Sequence, residues 1–347
     1  MVPLSVLDLV PVASGSTAGE SIRRSVELAR LAESLGYVRY WFAEHHGMPN
    51  IASSSPEILI EHIATATERI RVGSGGIMLP NHAALRIAEA FHTLEALHPG
   101  RIDLGVGRAP GTDPATSRAL RPFDAELFPE QLRELIALSR RTFPEDHPFR
   151  SVRVVPEDVS LPPIWILGSS GAGAAFAGSL GLGYGFARHF SPAPPEPAIR
   201  AYRASFTPSA QFPSPHVILG VAVICADTRE EAEYLASSTD LAWVRLQRGE
   251  FGPIPSPEEA SAYAYSPHER AIAVANRARQ FVGTPEDVAA QLRDVAGQTQ
   301  ADELMVTSMI HGHRERLRVY EMLASEWKTV STEARPTHHA ARQATNR

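Results

Sequence analysis

Apolar and polar positions along the chain follow two rhythms. Short apolar runs rich in β-branched and aromatic residues recur. Between them lie stretches with apolar residues three or four positions apart. The runs read as strands at 4–12, 38–43, 70–79, 101–107, 164–167, 184–187, 217–225 and 303–308. The first helical stretch, 21–35, carries Ile22, Val26, Ala29 and Leu31 at helical spacing and stops at Gly36. Further helices are expected at 56–69, 83–97, 130–141, 171–180, 195–205, 228–248, 269–281, 285–296 and 314–327. Strands alternating with helices favour an α/β fold with a parallel sheet, and eight of them favour closure into a single (β/α)8 TIM barrel. Two stretches break the rhythm and read as excursions after strands four and seven. The first, 143–163, should hold a short hairpin near 151–155, and the second is 249–267. Residues 1–330 are expected to form one domain, and the polar, unpatterned 331–347 a disordered tail.

A chain of 347 residues is within the range of one α/β barrel. With 44% hydrophobic and 21% charged residues it has the composition of a soluble globular protein. It lacks the run of about 18 apolar residues that spanning a membrane requires. Its first residues lack a basic leader, so the expected location is cytoplasmic. Cys225 is the one cysteine, set in an apolar run, which excludes an intrachain disulfide and favours an inert core thiol. The net charge of −6 with dispersed arginines gives no reason to expect nucleic-acid binding. Of the 33 basic residues all but Lys328 are arginine.

In such a barrel the chemistry sits at the C-terminal ends of the strands. Those ends carry Glu44-His45-His46, Gly75-Gly76-Ile77, Gly107-Arg108 and Gly168-Ser169-Ser170-Gly171. A histidine there can exchange a proton near neutral pH, or simply hydrogen-bond a core carbonyl. Glycines inside an apolar strand mark a bulge, a close backbone approach or a kink. The GSSG turn opens a helix, where backbone N–H groups and the dipole suit an anion, although an ordinary N-cap has the same appearance. Arg108 would add a fork of positive charge. No metal site is expected, because no carboxylate besides Glu44 recurs beside the histidines. The glycines of 105–111 imitate a dinucleotide fingerprint at the wrong strand, and Ala172 breaks the pattern of a nucleophile elbow. His311-Gly312-His313 and His338-His339 read as solvated.

The segments WFAEHHGMPN and RIRVGSGGIMLPNHAALRIAEAFHTLEALHPGRIDLGVGRAPGTD resemble the luciferase-like, flavin-dependent monooxygenases. The likeness runs from Val2 to about Arg118, resumes at PIWILGSSGAGAAFAGSLGLGYGFA and weakens toward the last strand. It is strongest for a bacterial subgroup carrying PGRIDLGVGRAPGTD. The resemblance implies that His45, and less directly His46, act beside the reactive edge of a flavin. It further implies a bulge with a cis peptide at Gly75–Gly76 against the flavin ring, with Glu44, Ile77 and Gly107 in the cofactor's surroundings. The FMN phosphate would then bind Arg108, Ser169, Ser170 and Gly171.

Carried over in full, the likeness implies a two-component enzyme and a homodimer. A separate NAD(P)H:flavin reductase would supply reduced FMN, which uses O2 to oxygenate a small organic substrate. Gly107 stands where the luciferases have a reactive cysteine, so light emission is not implied. Two alternatives remain on the same barrel: a deazaflavin-dependent dehydrogenase, which the Arg-rich composition suits, and a non-catalytic flavin-binding protein.

Overall fold

The computed structural model describes residues 2–333. In chain order the elements are β1 (Leu4–Asp8), α1 (Ala18–Leu35), β2 (Arg39–Phe42), α2 (Pro56–Ala66), β3 (Arg71–Met78), α3 (Ala84–Leu97) and β4 (Ile102–Gly107). After these come α4 (Pro114–Leu120), α5 (Phe128–Arg140), β5 (Ile164–Gly168), α6 (Gly171–Ser179), β6 (Gly183–Phe186), α7 (Glu196–Ser205) and β7 (Val217–Cys225). The chain continues through α8 (Arg229–Gln247), α9 (Pro257–Ala262), α10 (Pro267–Arg277), β8 (Gln280–Gly283), α11 (Pro285–Thr299), β9 (Glu303–Thr307) and α12 (His313–Glu333). The sheet order is β6-β5-β4-β3-β2-β1-β9-β7, and pairing of β6 with β7 closes eight parallel strands into a barrel.

The expected barrel is present, and five local readings change. Residues 280–281 belong to strand β8, which pairs only with the outer part of β7, from Ala222↔Gln280 to Cys225↔Gly283. Four residues are too few to show a period, so the run merged with the preceding helical pattern; the projecting edge of β7 is what draws it out. The segment 151–155 pairs with no strand and runs as irregular loop, with Val154 buried and a cis Val155–Pro156 bond. Helices α4 and α9 went unread because each is shorter than two helical periods. Helix α12 continues to Glu333, past the expected boundary at 330, and 334–347 lie outside the described residues. At its start, α1 gains three residues through a capping box between Thr17 and Glu20.

Two cores follow from the strand pleat, which sends successive side chains to opposite faces. One face packs outward against the helices, as Val6, Tyr40, Phe42, Leu104 and Val106 do. The other fills the barrel with Leu7, Trp41, Ala43, Trp165, Ile218 and Met305, and the rings of Trp41 and Trp165 meet edge to face at 5.5 Å. Charges close the N-terminal end: Arg39 reaches Asp103 at 2.7 Å and Glu303 at 3.0 Å, and Arg71 reaches Asp103 at 2.6 Å. Burial alone would raise the pKa values of Asp103 and Glu303. Arg39 and Arg71 at Asp103, and His216 and Arg39 at Glu303, outweigh it and hold both carboxyls low and ionised. That end is therefore plugged, and chemistry is left to the opposite mouth.

Candidate active site

The same pleat divides the Glu44-His45-His46 triplet. Trp41 and Ala43 point into the barrel, so His45 continues that row into the mouth, while Glu44 continues the outward row of Tyr40 and Phe42. His45 Nδ1 lies 3.2 Å from the Gly111 carbonyl oxygen. A carbonyl only accepts, so Nδ1 carries the proton and Nε2 of the neutral ring is left as the free base. Burial pushes the His45 pKa below its usual value, with the Gly111 carbonyl and Glu44 opposing, so the ring is neutral at pH 7.

Glu44 is fully buried and organises the loops around this mouth. Its Oε1 accepts from His46 Nε2 at 2.8 Å and from His82 Nε2 at 2.9 Å, and its Oε2 accepts from the Met78 N–H at 2.8 Å. Burial alone would raise its pKa; these three bonds outweigh it and hold the carboxyl at about 2. Glu44 in turn raises the pKa of His82 against the effect of burial. His46 thus faces away from His45 and into this cluster, and its carbonyl accepts from Thr112 Oγ1 at 2.6 Å. His82, the third member, had no signal in the sequence, since a lone histidine after a strand gives no hint of its partner.

The bulge lies beside this cluster. The register of β3 against β4 shifts between Ser74 and Ile77, and the Gly75–Gly76 peptide is cis. Glycine is required by proximity: a Cβ at Gly76 would sit 2.6 Å from the Gly105 carbonyl oxygen, and one at Gly75 would sit 2.7 Å from Leu7 Cδ1. Ile77 turns its side chain into the outer core, so only its backbone borders the bulge. Gly107, whose Cβ would lie 3.1 Å from Met78 Cε, pairs with both Met78 and Leu167. At Gly111 φ is +67°, a value suited to glycine, and a Cβ there would meet the Glu44 carbonyl oxygen at 2.7 Å.

The anion candidates continue from the neighbouring strand ends. Gly107 pairs with Leu167, so Arg108 and the turn at 168–171 leave the barrel side by side. Arg108 is exposed and makes no hydrogen bond or ion pair among the described residues. Ser170 caps α6, accepting from the Gly173 N–H at 3.4 Å, whereas the hydroxyl of Ser169 has no protein partner among the described residues. A Cβ at Gly168 or Gly171 would meet nothing within 4 Å, so the ground before the N–H groups of α6 is open. An open cradle of N–H donors, a free hydroxyl and an unpaired guanidinium fit the phosphate of a flavin mononucleotide.

One other sequence reading ends differently. His311 and His313 are half-buried rather than solvated, His311 bonding Ser14 Oγ at 3.1 Å and His313 bonding Glu27 at 2.9 Å. His338-His339 lie outside the described residues. Cys225 is fully buried, and burial pushes its thiol up to about 12.

The family model described as luciferase-like monooxygenase matches residues 2–302. The chain belongs to that family. Its members are oxygen-incorporating oxidoreductases, and the fold is theirs. The chain is 50% identical over 328 residues to the Bacillus subtilis protein YvbT, a match covering 94% of this chain and 96% of the relative. It is 35% identical to the N-acetyl-S-alkylcysteine monooxygenase of B. subtilis, over 93% and 98% of the two chains. Among solved structures, apo-MsnO8 superposes with a TM-score of 0.85 at 39% identity, covering 94% of this chain and 99% of its own. The oxygenating constituent of 3,6-diketocamphane monooxygenase from Pseudomonas putida, solved in complex with FMN, shares the fold. Its TM-score is 0.67 at 18% identity, over 94% and 97% of the two chains. No helix of the described residues is long and apolar enough to cross a membrane.

Proposed function

We propose that this luciferase-like monooxygenase takes reduced FMN from a separate reductase and uses it with O2 to oxygenate a small organic substrate. The observation that supports it most is the grouping on one mouth of a neutral His45, the Gly75–Gly76 bulge and an open anion cradle before α6. Bound there, reduced flavin supplies the two electrons that activate oxygen. The chain's own residues do the rest. Arg108, Ser169 and the N–H groups at Gly171 hold the phosphate, and the bulge supports the ring. Glu44 ties the bulge's C-terminal end to the histidine loop through the Met78 N–H. His45, with Nδ1 fixed on Gly111, offers Nε2 to accept a proton or hydrogen bond from a group over the bulge. No dinucleotide-binding domain is present among the described residues, which favours delivery of flavin already reduced. We assign the protein to the cytoplasm and to a homodimer on the same reading.

The test is rapid mixing of the protein and photoreduced FMN with oxygenated buffer. The expected result is slowed reoxidation through an absorbing species distinct from both reduced and oxidised FMN, with His45→Ala losing it. A direct return to the oxidised spectrum overturns the proposal, and tighter binding of a deazaflavin than of FMN replaces the cofactor.

A further inference from the structure

Across the mouth from His45, β6 is followed by a turn carrying Ala187-Arg188-His189, which gave no signal in the sequence. On β7, Ile218 lies in the inner core and Leu219 and Val221 in the outer one, so Gly220 faces inward, and the His189 ring against it lies on the inner wall. The His189 N–H donates to the Gly220 carbonyl at 3.0 Å, which ties the residue to β7. The Nδ1–Cε1 edge of the ring lies close against the barrel wall: a Cβ at Gly220 would come within 2.6 Å of Nδ1 and 3.0 Å of Cε1. Any other residue at Gly220 would displace the imidazole.

The ring has been given a place without a partner. Nδ1 is sealed from solvent and bonds to nothing, and Nε2 makes no hydrogen bond among the described residues. The neighbouring wall repeats the feature. Thr307 follows Met305 on the inward face of β9, beside Ala222 of β7, and its hydroxyl is buried with no partner at 2% exposure. Two polar groups left unsatisfied in one sector of the mouth cost free energy unless something binds them.

The charge of this sector is also defined. Arg188 points the other way and stacks 4.4 Å over the Phe281 ring. Inward positions around it are Leu167, Gly185, Gly220 and Met305, none of them ionisable. The titratable group that faces His189 is His45. Burial pushes the His189 pKa down to about 4, with the Gly220 backbone opposing and His45 lowering it further, so the imidazole is uncharged at neutral pH.

We infer that His189, with Thr307 on the adjoining wall, is a substrate-contacting subsite for an uncharged oxygen function, an alcohol or carbonyl, of the organic substrate. A neutral imidazole both donates and accepts, so it satisfies a hydroxyl or carbonyl well, while a carboxylate would find no positive charge in this sector. This rests on the proposed reading of the mouth as the place where an organic molecule is oxygenated.

The test uses the flavin-free protein with ring nitrogens labelled, so it is independent of whether FMN binds. Imidazole NMR signals, assigned with His189→Asn, are followed on titration with cyclohexanol, cyclohexanecarboxylate and methylcyclohexane. Cyclohexanol is expected to shift the His189 signals saturably, and the carboxylate to bind more weakly. His189→Ala and Thr307→Val should each weaken cyclohexanol about fivefold, the scale of one net hydrogen bond, with His189→Asn restoring part of the loss. Unmoved His189 signals, tighter binding of the carboxylate, or variants that bind cyclohexanol as the wild type does would each overturn the inference. If the variants fail to fold, the wild-type titration alone decides. Separate FMN titration distinguishes the two readings: cyclohexanol binding without flavin binding leaves this subsite standing and removes the proposed function.

Discussion

Replacing Glu44 by glutamine removes a buried negative charge that three donors share. The carboxyl is held at about 2 against an ordinary 4.5. That is about 2.5 pH units, and at 1.36 kcal/mol per unit it corresponds to roughly 3 kcal/mol favouring the ionised form in the folded state. Because the folded pKa is lowered, this stabilisation is fully present above 4.5 and is lost as pH falls toward about 2. A glutamine amide also places its own NH2 against at least one of the donors on His46, His82 and Met78, so a bond is lost as well as a charge. Glu44→Gln should therefore lower the unfolding free energy by about 2–3 kcal/mol at pH 7, with the gap to wild type shrinking steadily below pH 4.5. Reversible urea unfolding followed by tryptophan fluorescence at pH 7, 5 and 3.5 measures this. Equal stability at pH 7, or a deficit that stays constant on acidification, would refute the assignment of the low pKa to these three bonds.

Three further outcomes follow from the same geometry. Gly76→Ala would press a methyl group against the Gly105 carbonyl at 2.6 Å, backbone that cannot swing aside, so a loss of about 1–3 kcal/mol and of FMN binding is expected by urea unfolding and fluorescence titration. Turnover that needs neutral His45 should fall on the acid side with an apparent pKa below 6.5, and His45→Asn should abolish that limb in a pH–rate profile. Cys225, with its thiol near 12 and no exposed surface, should resist iodoacetamide at pH 8 in the native protein and react fully in urea, as read by mass spectrometry.

Local order carries most of what the sequence revealed. Periodicity depends on near neighbours, so eight barrel strands and most helices were legible, as were the glycines inside β3 and the turn before α6. Each of those is a property of a few adjacent residues. β8 escaped because four residues show no period, and its pairing is decided by the exposed edge of β7, more than fifty positions earlier in the chain. The divided histidine pair was implicit in the two-residue alternation of β2, but which side is the barrel interior depends on closure.

What only the tertiary structure decided are the contacts that closure makes. His82 meets Glu44 across 38 positions, and His189 settles on Gly220 because β6 and β7 close the barrel side by side. The glycines at 75, 76, 105, 185 and 220 look alike in a sequence; their use is known once the Leu7, Leu167 and His189 side chains that fill the space are placed. A sequence states which positions are apolar and how often they recur. Which polar groups then lack partners is a property of the closed barrel, since hydrogen bonds depend on position in space and not on separation along the chain.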